Sequence, residues 1–284
     1  MSLGIFHKPS KALKKAPTAA TTTAGFGAFG EHYRSSFGPL AATANVWAPT
    51  FPGFGRSQKG ALPYSQLLWT DFLRDFLEEV VRSPAVVAGN SIGGFMCSNL
   101  AADHPHLVKG LILLNSAGPI TPSFDPASMP PRKPPPPAWA VRAFTAVLLA
   151  YLESNISPIL KRVYPANPLR ADPWLGEEIF RAACDPGAAA VFGSGAYLPP
   201  PRALNWLVTR FGGETLVLTG RLDPLNDAGG RAASLAALCS NATVQLLECG
   251  HCPHDELPTE FGEAVTGFVT RVNRAKKASA AGAR

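Results

Sequence analysis

Apolar and polar positions along the chain alternate between strand-like and helix-like spacing. The run ANVWAPT at 44–50 is short, apolar and closed by the turn FPGFG, which predicts a strand. Residues 64–82, YSQLLWTDFLRDFLEEVVR, bring Leu68, Phe72, Asp75, Phe76 and Glu79 near one another with the apolar side chains grouped on one side, which predicts an amphipathic helix. PAVVAG at 84–89 is rich in β-branched and small residues and predicts a buried strand. It runs through NSIGG into a helical stretch stopped by Pro105, and LVKGLILLNSA at 107–117 predicts the next buried strand. Strands separated by helices at this spacing predict a mostly parallel α/β sheet with helices on both faces. The rhythm breaks over 118–206, where a proline-rich connection leads to helical stretches near 138–153, 156–163 and 174–184. It resumes with a strand at 214–220, a helix near 228–239, a strand at 242–248 and a last helix at 259–273. The insert therefore interrupts one domain, expected over 25–274; 275–284 reads as a basic tail.

Composition narrows the class. Hydrophobic residues make up 46% of the 284 positions and charged ones 16%, enough apolar side chain for a large core. The net charge of +6 is largely terminal: Lys8, Lys11, Lys14 and Lys15 precede the first acid, and the chain ends in RVNRAKKASAAGAR. A nucleic-acid surface interleaves basic and aromatic residues on one face, so nucleic acid is set aside as a partner. Residues 1–24 are basic, rich in Ser, Thr and Ala, and free of acids, which reads as a transit-like segment or a disordered tail. The apolar run AVRAFTAVLLAYL is short for a bilayer span and contains Arg142, so no integral membrane segment is expected.

The chemistry concentrates in three places. Gly89-Asn90-Ser91-Ile92-Gly93 is a G-x-S-x-G motif between a strand and a helix, the setting in which a serine stands on a sharp turn at the carboxyl edge of a sheet. Side chains two residues before or after that serine would clash, hence Gly89 and Gly93, while Gly94 lets the helix approach the sheet. The Ile92 N–H then faces a developing oxyanion. A nucleophilic serine needs a base and an orienting acid, which follow in the order acid, then histidine, each past a strand end. Asp223 follows LVLTG and His251 follows VQLLE. Asp227 is the weaker choice of acid, Asp223 could instead cap the next helix, and His254 could replace His251. Otherwise His254, Asp255 and Glu256 are expected to orient the loop and its histidine.

Two motifs are decoys. Cys249-Gly250-His251-Cys252 spells a redox dithiol, but that chemistry needs a helix N-terminus after an early strand to lower the thiol pKa. Zinc ligands usually come as separated pairs, which the crowded 249–254 stretch lacks, so no metal is expected. Gly25-Phe26-Gly27-Ala28-Phe29-Gly30 fits G-x-G-x-x-G, yet no acid follows at 44–52. It reads better as an oxyanion loop whose Phe26 N–H joins that of Ile92. No cofactor is implied.

The stretch from Gly25 to about Val272, through GNSIGG, LTGRLDPLND and above all GHCPHDELP, resembles the α/β-hydrolase superfamily and within it the plastid branch of pheophytinase and chlorophyll dephytylase-like hydrolases. The resemblance implies Ser91 as nucleophile, Asp223 as acid, His251 as base, a lid over 118–206, a lipophilic ester such as a phytyl ester as substrate, peripheral contact with membranes and a chloroplast address. Bacterial carbon–carbon bond hydrolases also share GNSxGG, and a weakly catalytic binding protein on the same scaffold is a further alternative. The chain departs from the family pattern at Ala24, where histidine is usual, and at Thr50, where aspartate is usual. The family also has three strands before the oxyanion loop; PTAATTTAG is the one weak candidate here, so an incomplete sheet is expected.

Overall fold

The computed structural model describes residues 18–131, 134 and 136–282, with side chains up to 274. Residues 1–17 of the segment read as a transit-like or disordered tail, 1–24, lie outside the described residues. In chain order the elements are β1 Ala19–Thr23, α1 Phe37–Ala41, β2 Asn45–Trp47, α2 Gln66–Asp75, β3 Ala85–Asn90, α3 Ile92–Asp103 and β4 Val108–Leu114. The helices of the insert follow: α4 Ala138–Val163, α5 Pro173–Cys184 and α6 Ala188–Gly193. The chain closes with α7 Leu204–Phe211, β5 Thr215–Gly220, α8 Ala228–Leu238, β6 Ala242–Leu247, α9 Pro253–Glu256 and α10 Pro258–Gly282. The six strands form one sheet in the order β2-β1-β3-β4-β5-β6, with every pair parallel.

Side chains alternate across this sheet because strand residues point to opposite faces in turn. Val87, Leu111, Leu113 and Val217 face α2, α3 and α7 through Trp69, Leu73, Phe95, Leu100 and Leu207. Val86, Ala88, Ile112, Leu114, Leu216 and Leu218 face α10 through Phe261, Val265, Phe268 and Val269. Burial on both faces is what near-continuous apolar strands such as β3 and β4 require.

The structure corrects several expectations. The segment 1–24 is not all tail: Ala19–Thr23 is a fully buried strand between β2 and β3. Its small side chains are required by close packing, since a Cβ at Gly93 of α3 would lie 2.6 Å from the Ala24 carbonyl and 2.7 Å from Thr23 Oγ1. The buried hydroxyls of Thr22 and Thr23 donate to the carbonyls of Trp47 and Ala88. One strand therefore leads into the 25–30 loop where the sequence offered a weak candidate. Thr50, in place of aspartate, accepts a hydrogen bond from the Gly30 N–H at 2.9 Å, which ties that loop to the turn after β2.

In α2 the most deeply buried residues are Trp69, Thr70 and Leu73, while Leu68 and Phe72 pack half-buried against the same core. The two helices expected at 138–153 and 156–163 are one, α4, which contains Pro158. The proline leaves the Ser154 carbonyl without its helical partner, at an exposed position. As a single helix α4 is long and apolar enough, by length and composition, to cross a membrane, and little of it is buried. The lid ends before 206, because α7 starts at Leu204 and packs its buried face on α3. The last helix runs on through the expected tail to Gly282, as the good helix formers of RAKKASAAGA allow.

Candidate active site

Ser91 follows β3 directly and has φ 54° and ψ −120°, a conformation that side chains other than glycine rarely adopt. Strained backbone of this kind persists only where neighbours enforce it, and three glycines do so. A Cβ at Gly89 would lie 2.3 Å from the Gly93 carbonyl carbon, and one at Gly94 would lie 2.7 Å from the Gly89 carbonyl oxygen. The backbone is further pinned by Ser91 N–H donating to the Leu114 carbonyl at 2.9 Å and Ala117 N–H donating to the Ser91 carbonyl at 2.9 Å.

The expected acid and base meet. His251 Nδ1 lies 2.8 Å from Asp223 Oδ2, with both side chains largely buried. Asp223 follows β5, and His251 follows β6 through Glu248, Cys249 and Gly250, so both stand at the carboxyl edge of the sheet with Ser91. Burial pushes the Asp223 carboxyl up, but the hydrogen bond and charge of His251, then the bonds from Asn226 Nδ2 and Leu225 N–H, hold it below its ordinary value. Asp227 is assigned elsewhere: its carboxylate caps α8 by accepting from Gly230 N–H at 3.0 Å. His254 is not at this edge. It is wholly buried, stacked on Tyr33 at 4.1 Å, and neither ring nitrogen has a hydrogen-bond partner. Burial first, and then His32 and His251, lower its pKa well below the ordinary histidine value.

The loop between β1 and α1 lies against the serine. A Cβ at Gly25 would meet Asn90 Oδ1 at 3.3 Å and Ser91 Cβ at 3.4 Å, so only glycine leaves the approach unhindered. The Phe26 ring packs edge-on to Phe54 at 5.1 Å and to Phe192 of the lid at 5.4 Å, which holds the loop from both sides. Ile92 opens α3, so its N–H is one of the free donors of a helix N-terminus.

Residues that sequence reasoning did not single out hold these parts in register. Asn90 Nδ2 donates to the His251 carbonyl at 2.7 Å, joining the serine turn to the histidine loop. Asn115, at φ 39°, accepts from Gly220 N–H at 2.7 Å and donates to the Gly250 carbonyl at 2.9 Å, joining the ends of β4, β5 and β6. The available signal was an asparagine at the carboxyl end of two adjacent buried strands. Asp255 and Glu256 brace the histidine loop. Buried Glu256 accepts from Gly250 N–H at 2.6 Å, Ala166 N–H at 2.6 Å and Asn167 N–H at 3.0 Å. Asp255 accepts from the Tyr164 hydroxyl at 3.0 Å and from Arg170 at 3.5 Å. His251 N–H itself donates to the Val163 carbonyl at the end of α4, so the lid stalk and the histidine are tied directly.

The two cysteines beside His251 are buried and unpaired. Burial pushes the Cys249 thiol up to about 12, ahead of the nearby carboxylates, and drives Cys252 higher still. A redox dithiol needs the opposite shift. A cavity of about 750 Å³ opens beside the serine turn, lined by Ile92, Phe95, Met96, Ala117, Leu198 and the prolines of the 119–136 and 199–201 segments. No Lys, Arg, Asp or Glu lines it among the described residues.

Comparisons with known proteins agree with this architecture. The chain is 29% identical to the chloroplastic pheophytinase of Arabidopsis thaliana over 86% of its own length and 60% of the relative's. It thus spans about three fifths of that protein. It is 27% identical to 2-hydroxymuconate semialdehyde hydrolase of a Pseudomonas species, covering 83% of this chain and 80% of that one. Among solved structures, a bacterial membrane phospholipase A superposes with a TM-score of 0.70 at 23% identity, over 90% of this chain and 79% of that one. A meta-cleavage product hydrolase from Pseudomonas fluorescens superposes with a TM-score of 0.68 at 19% identity, over 89% and 91%. Residues 23–264 match the alpha/beta hydrolase family, and it is to that family of hydrolases that the chain belongs.

Proposed function

We propose that the protein is a serine-dependent hydrolase of a carboxylic ester with a long apolar group. Ser91 Oγ attacks the ester carbonyl while His251 Nε2 takes its proton; Asp223 on Nδ1 holds the ring and stabilises the imidazolium. The oxyanion is received by the N–H groups of Phe26 and Ile92. His251 returns the proton to the departing alcohol, then activates a water that cleaves the acyl-enzyme. The observation that carries this reading is the 2.8 Å His251–Asp223 pair at the same sheet edge as a serine in a strained strand-to-helix turn. The order Ser, Asp, His along the chain supports it.

The apolar cavity beside Ile92 supports a lipophilic substrate, and the plastid pheophytinase among the relatives supports an isoprenoid alcohol such as phytol and a chloroplast location. Trp139, Phe144, Val147 and Tyr151 of α4 are exposed and supply an apolar surface for peripheral contact with the membrane in which such a substrate dissolves. The competing carbon–carbon hydrolase reading rests on the second relative and would need a cation for an anionic substrate; among the described residues the cavity wall has none. A fluorophosphonate probe is expected to label the wild type and not Ser91→Ala. Each methylene buried adds about 0.8 kcal/mol, so kcat/KM is expected to rise with chain length across p-nitrophenyl esters. A flat or falling profile, or turnover of a ring-fission diketone in preference to esters, counts against this reading.

A further inference from the structure

We propose that His32, Cys252 and His254 form a buried zinc site that fastens the segment following His251 to the connection between β1 and α1. Sequence spacing hides it, because His32 lies far from the other two and Cys249 is not a member.

The ligating atoms of His32, Cys252 and His254 lie within 4.8 Å of one another, and all three residues are buried. Both ring nitrogens of His254 and Nδ1 of His32 have no hydrogen-bond partner. Buried polar atoms are almost always partnered, so three orphaned nitrogens in one place ask for a ligand. Asp255 lies behind the cluster, with Oδ2 at 3.8 Å from His32 Nε2, the ring nitrogen on the side away from the unpartnered Nδ1. Tetrahedral zinc holds nitrogen and sulfur ligands at about 2.0–2.3 Å, which sets ligand atoms roughly 3.3–3.8 Å apart.

The donor set selects the ion. Two imidazoles and a thiol are a nitrogen and sulfur set, which suits zinc and not calcium or magnesium. The charges also balance: a divalent cation, one thiolate and the buried Asp255 carboxylate behind the cluster sum to zero with both imidazoles neutral, so no net charge is buried. Binding exchanges the Cys252 thiol proton for a sulfur–zinc bond, and that proton leaves to solvent. The outer shell is present as well. The Tyr164 hydroxyl sits between His32 Nε2 at 2.5 Å and Asp255 Oδ2 at 3.0 Å, and Arg170 lies 3.5 Å from Asp255 Oδ1. The ion touches no reacting atom; its three protein ligands are positioning residues for the loop that bears His251.

Metal content reads out whether or not the chain hydrolyses esters. The full chain, produced with zinc in the medium and purified without chelator, is expected to retain about one zinc per chain by plasma mass spectrometry. Cys252→Ser and His32→Gln are expected to lose most of it, and added zinc chloride is expected to raise the melting temperature of the stripped wild type but not of the variants. Should the variants fail to fold, the wild type loaded with cobalt decides: a thiolate-to-cobalt charge-transfer band and intense tetrahedral visible bands are expected. Wild type without bound metal and without that band, or zinc held equally well by Cys252→Ser, overturns the proposal.

Discussion

Two histidines three residues apart on one loop stand in opposite surroundings. His251 has Asp223 on Nδ1, donates its N–H to the Val163 carbonyl and offers its own carbonyl to Asn90, so its ring is aimed from three sides at the sheet edge. His254 is turned inward, stacked on Tyr33 and edge-on to His32 at 4.8 Å and to Phe261, with both nitrogens unpartnered. The same side chain is paired with a carboxylate in one place and packed without a partner in the other. An imidazole becomes a base through a carboxylate and access to solvent, not through its presence in a motif.

The strongest way to break this comparison is to exchange the losses. Ser91→Ala and His251→Ala are expected to lower kcat by about 10⁴-fold or more, since the members act as a unit. His254→Gln is expected to keep ester turnover per folded molecule within about tenfold while lowering the melting temperature. Steady-state kinetics on the three variants checks this; a mild His251→Ala beside a dead His254→Gln would reverse the assignment.

Asp223→Asn comes next. It preserves the shape of the pair but presents an amide that stabilises the wrong tautomer, and kcat is expected to fall about 10³–10⁴-fold with KM little changed. Glu256→Ala leaves the N–H groups of Gly250, Ala166 and Asn167 without their acceptor. Stability is expected to drop by about 3 kcal/mol in denaturant melts, because a buried donor stripped of its partner costs about 1–3 kcal/mol. Glu256→Gln, which keeps the oxygen for part of this network, is expected to lose less.

The smallest expected effect concerns acid. Asp223 titrates below its ordinary value in the folded chain, so the unfolded chain binds its proton first as pH falls. Its contribution is fully present above the ordinary aspartate range and is lost as pH drops through that range to the lower folded value. Urea melts of wild type and Asp223→Asn between about pH 6 and 3 are expected to converge toward the acid end, a tenfold difference in proton affinity between the folded and unfolded chain corresponding to about 1.4 kcal/mol. Curves that stay parallel would mean the carboxylate gains nothing from His251.

Much of the site was legible because its parts are local. The glycines at 89 and 94 follow from a clash between near neighbours in sequence, whereas Gly93 makes room for Thr23 and Ala24 of the distant β1 end. Asp223 and His251 stand out by strand counting, since each directly follows a strand. β1 is harder to read. Ala19–Thr23 has neither large apolar side chains nor alternation, and its strand character comes from neighbours: β2 and β3 on its edges and α3 pressed against Thr23. The break expected in α4 near Pro158 does not occur: proline disfavours helix locally, but the carbonyl it orphans one turn earlier is exposed to water, so the loss is small.

The sequence by itself determined a parallel α/β sheet, the helical insert that interrupts it and the placement of Ser91, Asp223 and His251 past strand ends, because periodicity, glycine sterics and strand order act over a few residues at a time. Only the tertiary structure decided what surrounds them. It brought His32 from the start of the chain to Cys252 and His254, set Asn90 and Asn115 as bridges between strand ends, and tied Glu256 to the foot of the lid. Such contacts join residues far apart along the chain, and no local period encodes which of them meet once the sheet has closed its core.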